Sequence, residues 1–260
     1  MSTPGMTSFD EIYGLPDPRG YFTRFGPYEY QTPHHAQAVF RALTGRELPP
    51  GRPAMIDLCC SYGINAALVN HDVTLDELYE RYTSAKSAEL TTAELIDWDR
   101  DFYASRRRSD AVRAIGVDVS GPAVAYALSV GLLDEGYCED LETTEPGRGL
   151  RRAAAGAGLI TVTGGASFLT ERTFGRLFTA AGRPVPVAAF VLRTHDYRPI
   201  SGCLRSYGLA VERSTATHPQ RRFTDPQEQR TAVETVTALG EDPAGKESAG
   251  YFHTRLHLAR

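Results

Sequence analysis

The chain lacks the cysteine pattern of a disulfide or zinc framework. Its 260 residues carry four cysteines, two of them adjacent (Cys59 and Cys60), and no C-x-x-C pair. Structural zinc and a stapled secreted fold are therefore not expected. A reduced, cytoplasmic setting is. No apolar run reaches the length of a membrane span. The opening residues, M-S-T-P-G-M-T-S-F-D, have neither a basic start nor an apolar core, so no secretory leader is expected. An excess of one charge is also missing. With 28 Lys+Arg against 32 Asp+Glu, the net charge is -4 and the pI about 6.0. Nothing calls for nucleic acid or a membrane as partner. Neither G-x-G-x-x-G nor G-x-x-x-x-G-K-[ST] occurs, which argues against NAD and ATP.

What is present is organised around A-M-I-D-L-C-C-S-Y-G-I-N, residues 54 to 65. A short apolar run ends in a loop of small residues, and an apolar helical pattern follows at once. This spells strand, tight turn, helix. Gly63 suits a positive φ or a close approach. Asp57 falls near the carboxyl end of the strand, the edge where open α/β sheets bind small ligands. An ordinary βα connection would read the same way. At this length one domain, residues 1–260, is expected, with a core that needs no staples.

Residues 1–32 are rich in Gly, Pro and aromatics (Tyr13, Tyr21, Phe22, Phe25, Tyr28, Tyr30). A disordered tail would be poor in aromatics, so this segment is expected to pack on the body as a lid, with residues 1–50 forming lid and helix. Thr32 and Pro33 open a helix to Leu43, and a Gly/Pro connector follows. Residues 73–110 read as a helical insertion, with Thr74 capping one helix and Thr91 with Glu94 forming a capping box for another. Arg106, Arg107 and Arg108 read as a solvated helix end and not a phosphate patch. Strands then alternate with helices: one ends at Asp118 with Ser120 as the next N-cap, and a short third ends at Asp140. A fourth runs into Gly164 and Gly165, and V-P-V-A-A-F-V-L-R-T-H reads as the sheet centre. The last strand, Y-F-H-T-R-L-H-L-A, alternates cleanly. Its His253 and His257 are about 13 Å apart, too far to share an ion, and read as a solvated face.

This order of elements resembles the class I SAM-dependent methyltransferase fold over Met55 to Arg260. The resemblance implies an α/β, Rossmann-like, seven-stranded, mostly parallel sheet flanked by helices, with one antiparallel strand in the last hairpin. It implies S-adenosyl-L-methionine (SAM) as cofactor. By the resemblance, the loop of Cys59, Cys60, Ser61 and Gly63 lies against the amino-acid part of SAM, and Asp57, at the strand's carboxyl end, is a further cofactor-binding candidate. Asp118 holds the ribose hydroxyls, a bidentate acceptor for two donors; a helix N-terminal charge beside Ser120 is the other reading. Asp140 and Leu141 meet the adenine, and the loop with Thr163 and Gly164 closes over the sulfonium. Two features depart from the family pattern. Cys59 and Ser61 replace two of three alternating glycines, and Asp118 lies much further from Gly63 than the usual distance of about 20 residues. The insertion accounts for the excess. The chain also looks like members of a bacterial group of small methyltransferase-like proteins with a C-C-S-Y-G-I-N loop and an aromatic N-terminal lid.

Methyl transfer needs an acceptor in line with the methyl–sulfur bond and often a base. Candidates are Tyr28, Tyr30, His34, His35, Tyr62, Asp196 and, best placed at the active edge, His195, although a histidine at a strand end is commonly structural. Tyr28 and Tyr30, two apart, share a face if the segment is extended. They either pack the lid or turn π-faces to the sulfonium cation. The expected activity is methyl transfer from SAM to a small molecule in secondary metabolism. The alternative is a lyase-like cyclisation of SAM that releases methylthioadenosine, giving 1-aminocyclopropane-1-carboxylate or azetidine-2-carboxylate. A SAM-fold scaffold without catalysis is the third reading. The partner is then a small-molecule substrate, or SAM alone, and a homodimer is compatible with either.

Overall fold

Among the described residues eight strands form one sheet, in the order β3 (Glu135–Cys138), β2 (Arg113–Asp118), β1 (Ala54–Leu58), β4 (Ala157–Val162), β5 (Val187–Leu192), β8 (Tyr251–Ala259) and β6 (Val211–Arg213), and β7 (His218–Arg222) pairs with β8 off that path. The computed structural model describes residues 5–46, 48 and 54–260. In chain order the elements are α1 (Arg19–Phe25), α2 (Thr32–Arg46), β1 (Ala54–Leu58), α3 (Ile64–Asn70), α4 (Leu75–Tyr82), α5 (Ala85–Glu89) and α6 (Thr92–Ala104). Then come β2 (Arg113–Asp118), α7 (Gly121–Ser129), β3 (Glu135–Cys138), α8 (Arg148–Ala155), β4 (Ala157–Val162), α9 (Glu171–Ala181) and β5 (Val187–Leu192). The chain closes with α10 (Arg198–Ser206), β6 (Val211–Arg213), β7 (His218–Arg222), α11 (Pro226–Ala238) and β8 (Tyr251–Ala259). The α/β, mostly parallel sheet flanked by helices is as expected. The connector expected over residues 45–53 lies mostly outside the described residues, as do residues 1–4.

The parallel strands β1, β4 and β5 are buried along their whole length. That is why they read as continuous apolar runs. One core layer joins one face of the sheet to α2, α3, α7 and the N-terminal aromatics. The other packs α8, α9 and α10 on the opposite face. β8 runs antiparallel to β5, β6 and β7. The insertion caps form as the spacing predicts: Thr74 with Glu77 and Thr91 with Glu94 are both reciprocal boxes.

Three expectations are corrected. The sheet has eight strands, not seven. β7 reads H-P-Q-R-R, polar and carrying Pro219, so neither alternation nor apolarity announces it. β5 lies between β4 and β8, one place from the middle of the path. And His253 and His257 do not lie on a solvated face. Both are half-buried, His257 with its ring 4.6 Å from Tyr197. Burial first, then nearby arginines, pushes both imidazoles down to about 4. The cover over His257 is Tyr197, just before α10, which alternation within β8 cannot reveal.

The N-terminal segment lies on the body at several points. Phe9, Tyr21, Phe25 and Tyr30 are buried, with Phe25 and Tyr30 stacked at 4.8 Å. Asp17 accepts from Arg19 and Thr92, and Arg19 donates to the carbonyls of Ser87 and Leu90, which fastens the segment to the insertion. The Gln31 N–H donates to the Gln220 carbonyl of β7 at 2.8 Å. The Thr7 N–H donates to Glu228 at 2.8 Å, and Glu228 forms a fork with Arg221 at 2.7 and 2.9 Å. Both side chains of that pair are 1% exposed. Glu228→Ala would leave Arg221 buried and unpaired. It is expected to lower unfolding free energy in urea by about 3–5 kcal/mol. A loss below about 1 kcal/mol would mean that the pair does not hold the segment.

Candidate functional site

From β1 the sheet grows outward through β2 and β3; from β4 it grows the other way through β5. The carboxyl ends of β1 and β4 therefore flank the point where strand order reverses, the place where open α/β sheets bind ligands. The loop after β1 turns sharply there. Cys59, Ser61 and Gly63 have φ of 53°, 50° and 79°. The two residues that replace glycines thus keep the left-handed backbone that glycine would give, at about 1–2 kcal/mol each. The Ser61 N–H donates to Asp118 Oδ2 at 2.8 Å, and the Ser120 N–H donates to Asp118 Oδ1 at 2.8 Å. Asp118 is half-buried. Burial raises its pKa while these N–H groups oppose the rise. Each carboxylate oxygen keeps capacity for a further donor. Val119, next in the chain, is 69% exposed.

Below the loop, Asp57 is fully buried. It accepts from Asn65 Nδ2 at 2.9 and 3.2 Å and from Thr161 Oγ1 at 2.8 Å. Asn65 Nδ2 also donates to Thr163 Oγ1 at 2.8 Å. One amide thus joins the ends of β1 and β4. Asp57 lies beneath the loop surface and not on it. Burial pushes its carboxyl up to about 7 against the hydrogen bonds from Asn65 and Thr161. Cys60 is buried, and the Cys59 Sγ approaches the Gly165 carbonyl at 3.8 Å. Burial pushes both thiols up, so they stay protonated.

Asp140 lies two residues past the end of β3. It accepts from the Glu142 N–H at 2.9 Å and Thr143 Oγ1 at 2.8 Å, which hold its carboxyl down. Leu141 is buried, 4% exposed. Glu142, which no sequence pattern singled out, accepts from the Thr170 N–H and from the hydroxyls of Thr170 and Thr173, tying this loop to α9.

The N-terminal aromatics are arranged differently from the extended picture. Glu29 has φ 53°, so Tyr28 and Tyr30 are not related by a strand's period. Tyr28 ends a 3-10 turn with its ring 5.7 Å from Phe9. It lines an outer depression with Glu11, Arg24 and Pro27. Tyr30 turns inward. Its hydroxyl lies so near Gly164 that a Cβ there would fall 2.3 Å away, and burial pushes its pKa up to about 12. Tyr62 is buried and donates to the carbonyls of Ile12 at 2.6 Å and Leu15 at 3.0 Å. It is a tie between loop and lid, not a base.

His195 follows β5, half-buried, with Nε2 lacking a hydrogen-bond partner. Burial lowers its pKa and Asp196 opposes this, so the ring is neutral at pH 7. Asp196 itself is engaged by Arg198 at 2.7 Å. His34 is exposed, and His35 stacks near His218 at 4.8 Å, pushed down to about 4 by burial. Sequence reasoning passed over Tyr13. Its carbonyl accepts from the Ser120 hydroxyl. Its own hydroxyl is pushed up by burial and then by Tyr30, Asp118 and Cys59. No local pattern distinguishes it from the other N-terminal aromatics.

No family model matches the chain, and no curated protein matches it in sequence. Solved structures do. Magnesium protoporphyrin IX methyltransferase from Synechocystis PCC 6803, with bound SAM, is 13% identical, with 97% of this chain and 89% of that chain covered and a TM-score of 0.44. The YcgJ protein from Bacillus subtilis is 10% identical, with 87% and 97% covered and a TM-score of 0.47. A SAM-dependent methyltransferase from Geobacter sulfurreducens, in complex with S-adenosyl-L-homocysteine, is 13% identical, with 92% and 97% covered and a TM-score of 0.39. At these values none of them lends a residue role to this chain.

Gly164 tests how closely lid and loop meet. It has φ 66°, and its missing Cβ is what admits the Tyr30 hydroxyl. Gly164→Ala is expected to destabilise by about 2–4 kcal/mol. Tyr30→Phe in that background should restore part of the loss, giving a coupling above about 0.5 kcal/mol in a double-mutant cycle. Additive effects would contradict the contact.

Proposed function

We propose that this chain is an enzyme that uses SAM and transfers its methyl group to a small molecule of secondary metabolism. The observation that carries the reading is the Asp118 carboxylate. It stands at the carboxyl end of β2, held by two N–H groups, one from the loop after β1 and one from the cap of α7. Two vicinal ribose hydroxyls need an acceptor of this kind. The exposed Val119 offers apolar surface for a base, and the loop from Cys59 to Gly63 serves the amino-acid end. The Tyr30 hydroxyl meets Gly164 after β4, which brings the N-terminal segment against this edge.

SAM supplies a methyl group on a positively charged sulfur, open to attack along the sulfur–carbon line. The chain's part is orientation, exclusion of water and, for an acidic acceptor, removal of a proton. Tyr13 and Tyr30 keep their protons near neutrality, so they act as donors or π-surfaces and not as bases. His195, neutral at pH 7, is the base in this reading. With its pKa lowered, it stays in the base form to more acid pH than an ordinary histidine.

The test is calorimetry of the purified protein with SAM. Wild type should bind. Asp118→Ala should bind about 10–100-fold more weakly, as for the loss of a charge-assisted pair of hydrogen bonds. Equal affinity would remove Asp118 from the site. Mass spectrometry of the reaction then reads the carbon attacked. S-adenosylhomocysteine with a methylated acceptor fits methyl transfer. Methylthioadenosine formed from SAM alone would replace it with cyclisation.

A further inference from the structure

Three half-buried imidazoles from three elements gather where the start of α2 lies on the sheet: His35, His218 and His253. His35 of α2 and His218 of β7 have their rings 4.8 Å apart and 31° from parallel. His34 lies 5.2 Å from His35, and His218 lies 5.9 Å from Phe190 of β5. His253 of β8, across from Pro219 of β7, has a buried Nδ1 without a partner. Beside the stacked pair the Gln31 N–H donates to the Gln220 carbonyl at 2.8 Å, and His35 Nε2 meets Gln31 Oε1 at 3.2 Å. These contacts form a seam between α2, with the residues just before it, and β7.

From this geometry we propose that the seam between α2 and β7 is an acid-sensitive switch, closed while His35 and His218 are neutral and opened when both carry a proton. Two neutral rings at this distance attract, whereas two imidazolium ions there repel in a half-buried setting. Opening gives each ring water and separates the charges. It breaks the bond from Gln31 to Gln220 and spares the centre of the sheet, because β7 pairs with β8 alone among the described strands. The two protons come from solvent, and no other covalent bond forms or breaks. The switch does not depend on the SAM reading.

Nothing around the pair favours a charge on it. α3, β4 and β5 pack on α2, and their sequences, I-N-A-A-L-V-N, A-G-L-I-T-V and V-A-A-F-V-L, hold no ionisable side chain. β7 brings His218, Arg221 and Arg222, and α2 itself brings His34, Arg41 and Arg46. β8 brings His253, whose own charged neighbours are Arg193 and Lys246. The acids at the two ends of β7 are already engaged: Glu29 by Arg222 and Tyr251, and Glu228 by Arg221. Burial, then His218, His34 and His253, pushes His35 down to about 4, and burial lowers His218 as well. An imidazole freed to water titrates near 6.5. Between about pH 6.5 and 4 the open seam therefore binds more protons than the closed one, and closure weakens as pH falls through that window.

The experiment is amide hydrogen exchange of the full chain at pH 7 and pH 5, corrected for the intrinsic rate and read by mass spectrometry. Protection of residues 29–35 and 218–222 should fall about 20-fold or more at pH 5, the share His35 alone supplies when it titrates near 4 closed and near 6.5 open. Amides of β1 and β4 should keep their protection. Glu29 stays charged at pH 5, because Tyr251 and Arg222 hold its carboxyl down, so its ion pair survives and does not imitate the effect. Combining His35→Phe with His218→Phe keeps two rings and removes both protonation sites. Its seam should be equally protected at the two pH values, and circular dichroism checks that it folds. Equal protection of the wild-type seam at pH 7 and pH 5 would overturn the proposal, whether or not the variant folds. So would an acid loss that persists in the folded variant, or one shared equally by β1 and β4.

Discussion

The hydrogen bond from the Ser61 N–H to Asp118 is the interaction on which the site depends. Two non-glycine residues in the loop after β1 hold a left-handed backbone, Cys59 at 53° and Ser61 at 50°. That conformation has to be over-determined by its surroundings to persist. A charge-assisted bond to Asp118 does this for Ser61. Its consequences follow along the chain. Tyr62 is aimed at the carbonyls of Ile12 and Leu15, Gly63 starts α3, and Asn65 arrives where it bridges Asp57 and Thr163. One turn thus joins the ends of β1, β2 and β4 to the N-terminal segment.

A second regularity concerns buried charge. Arg81 with Asp99 joins two helices of the insertion, α4 and α6, while Arg193 with Glu247 holds the segment after α11 and Arg221 with Glu228 holds the junction of β7 with α11. Such pairs stabilise little against an apolar replacement, yet removing one partner is severe. They therefore act as specifiers of where these elements pack. Asp57, by contrast, is buried against Asn65 and Thr161.

Much of the fold was legible because its signals are local. β1 has the bounds of the apolar run from Ala54 to Leu58, and the Thr74 and Thr91 caps follow from spacing alone. Ser120 caps the helix that its position suggests. What was illegible depends on contacts between distant segments. β7 is a strand because β8 pairs with it, not because His218 to Arg222 prefer one. His253 and His257 are half-buried by elements outside their own strand. Tyr28 and Tyr30 part company because of a single backbone angle at Glu29. In the site, Asp118 could be placed from the order of elements. Tyr13 could not, since its relation to Ser120 spans more than a hundred residues.

The central claim is that the carboxyl ends of β1, β2 and β4 together form a SAM site. The most direct measurement is a crystal structure of the protein with S-adenosylhomocysteine. The account predicts the ribose hydroxyls on the Asp118 carboxylate and the sulfur between the Cys59–Gly63 loop and Gly164, under the N-terminal segment. A ligand bound elsewhere on the protein, or bound with Asp118 making no contact to it, would contradict the account.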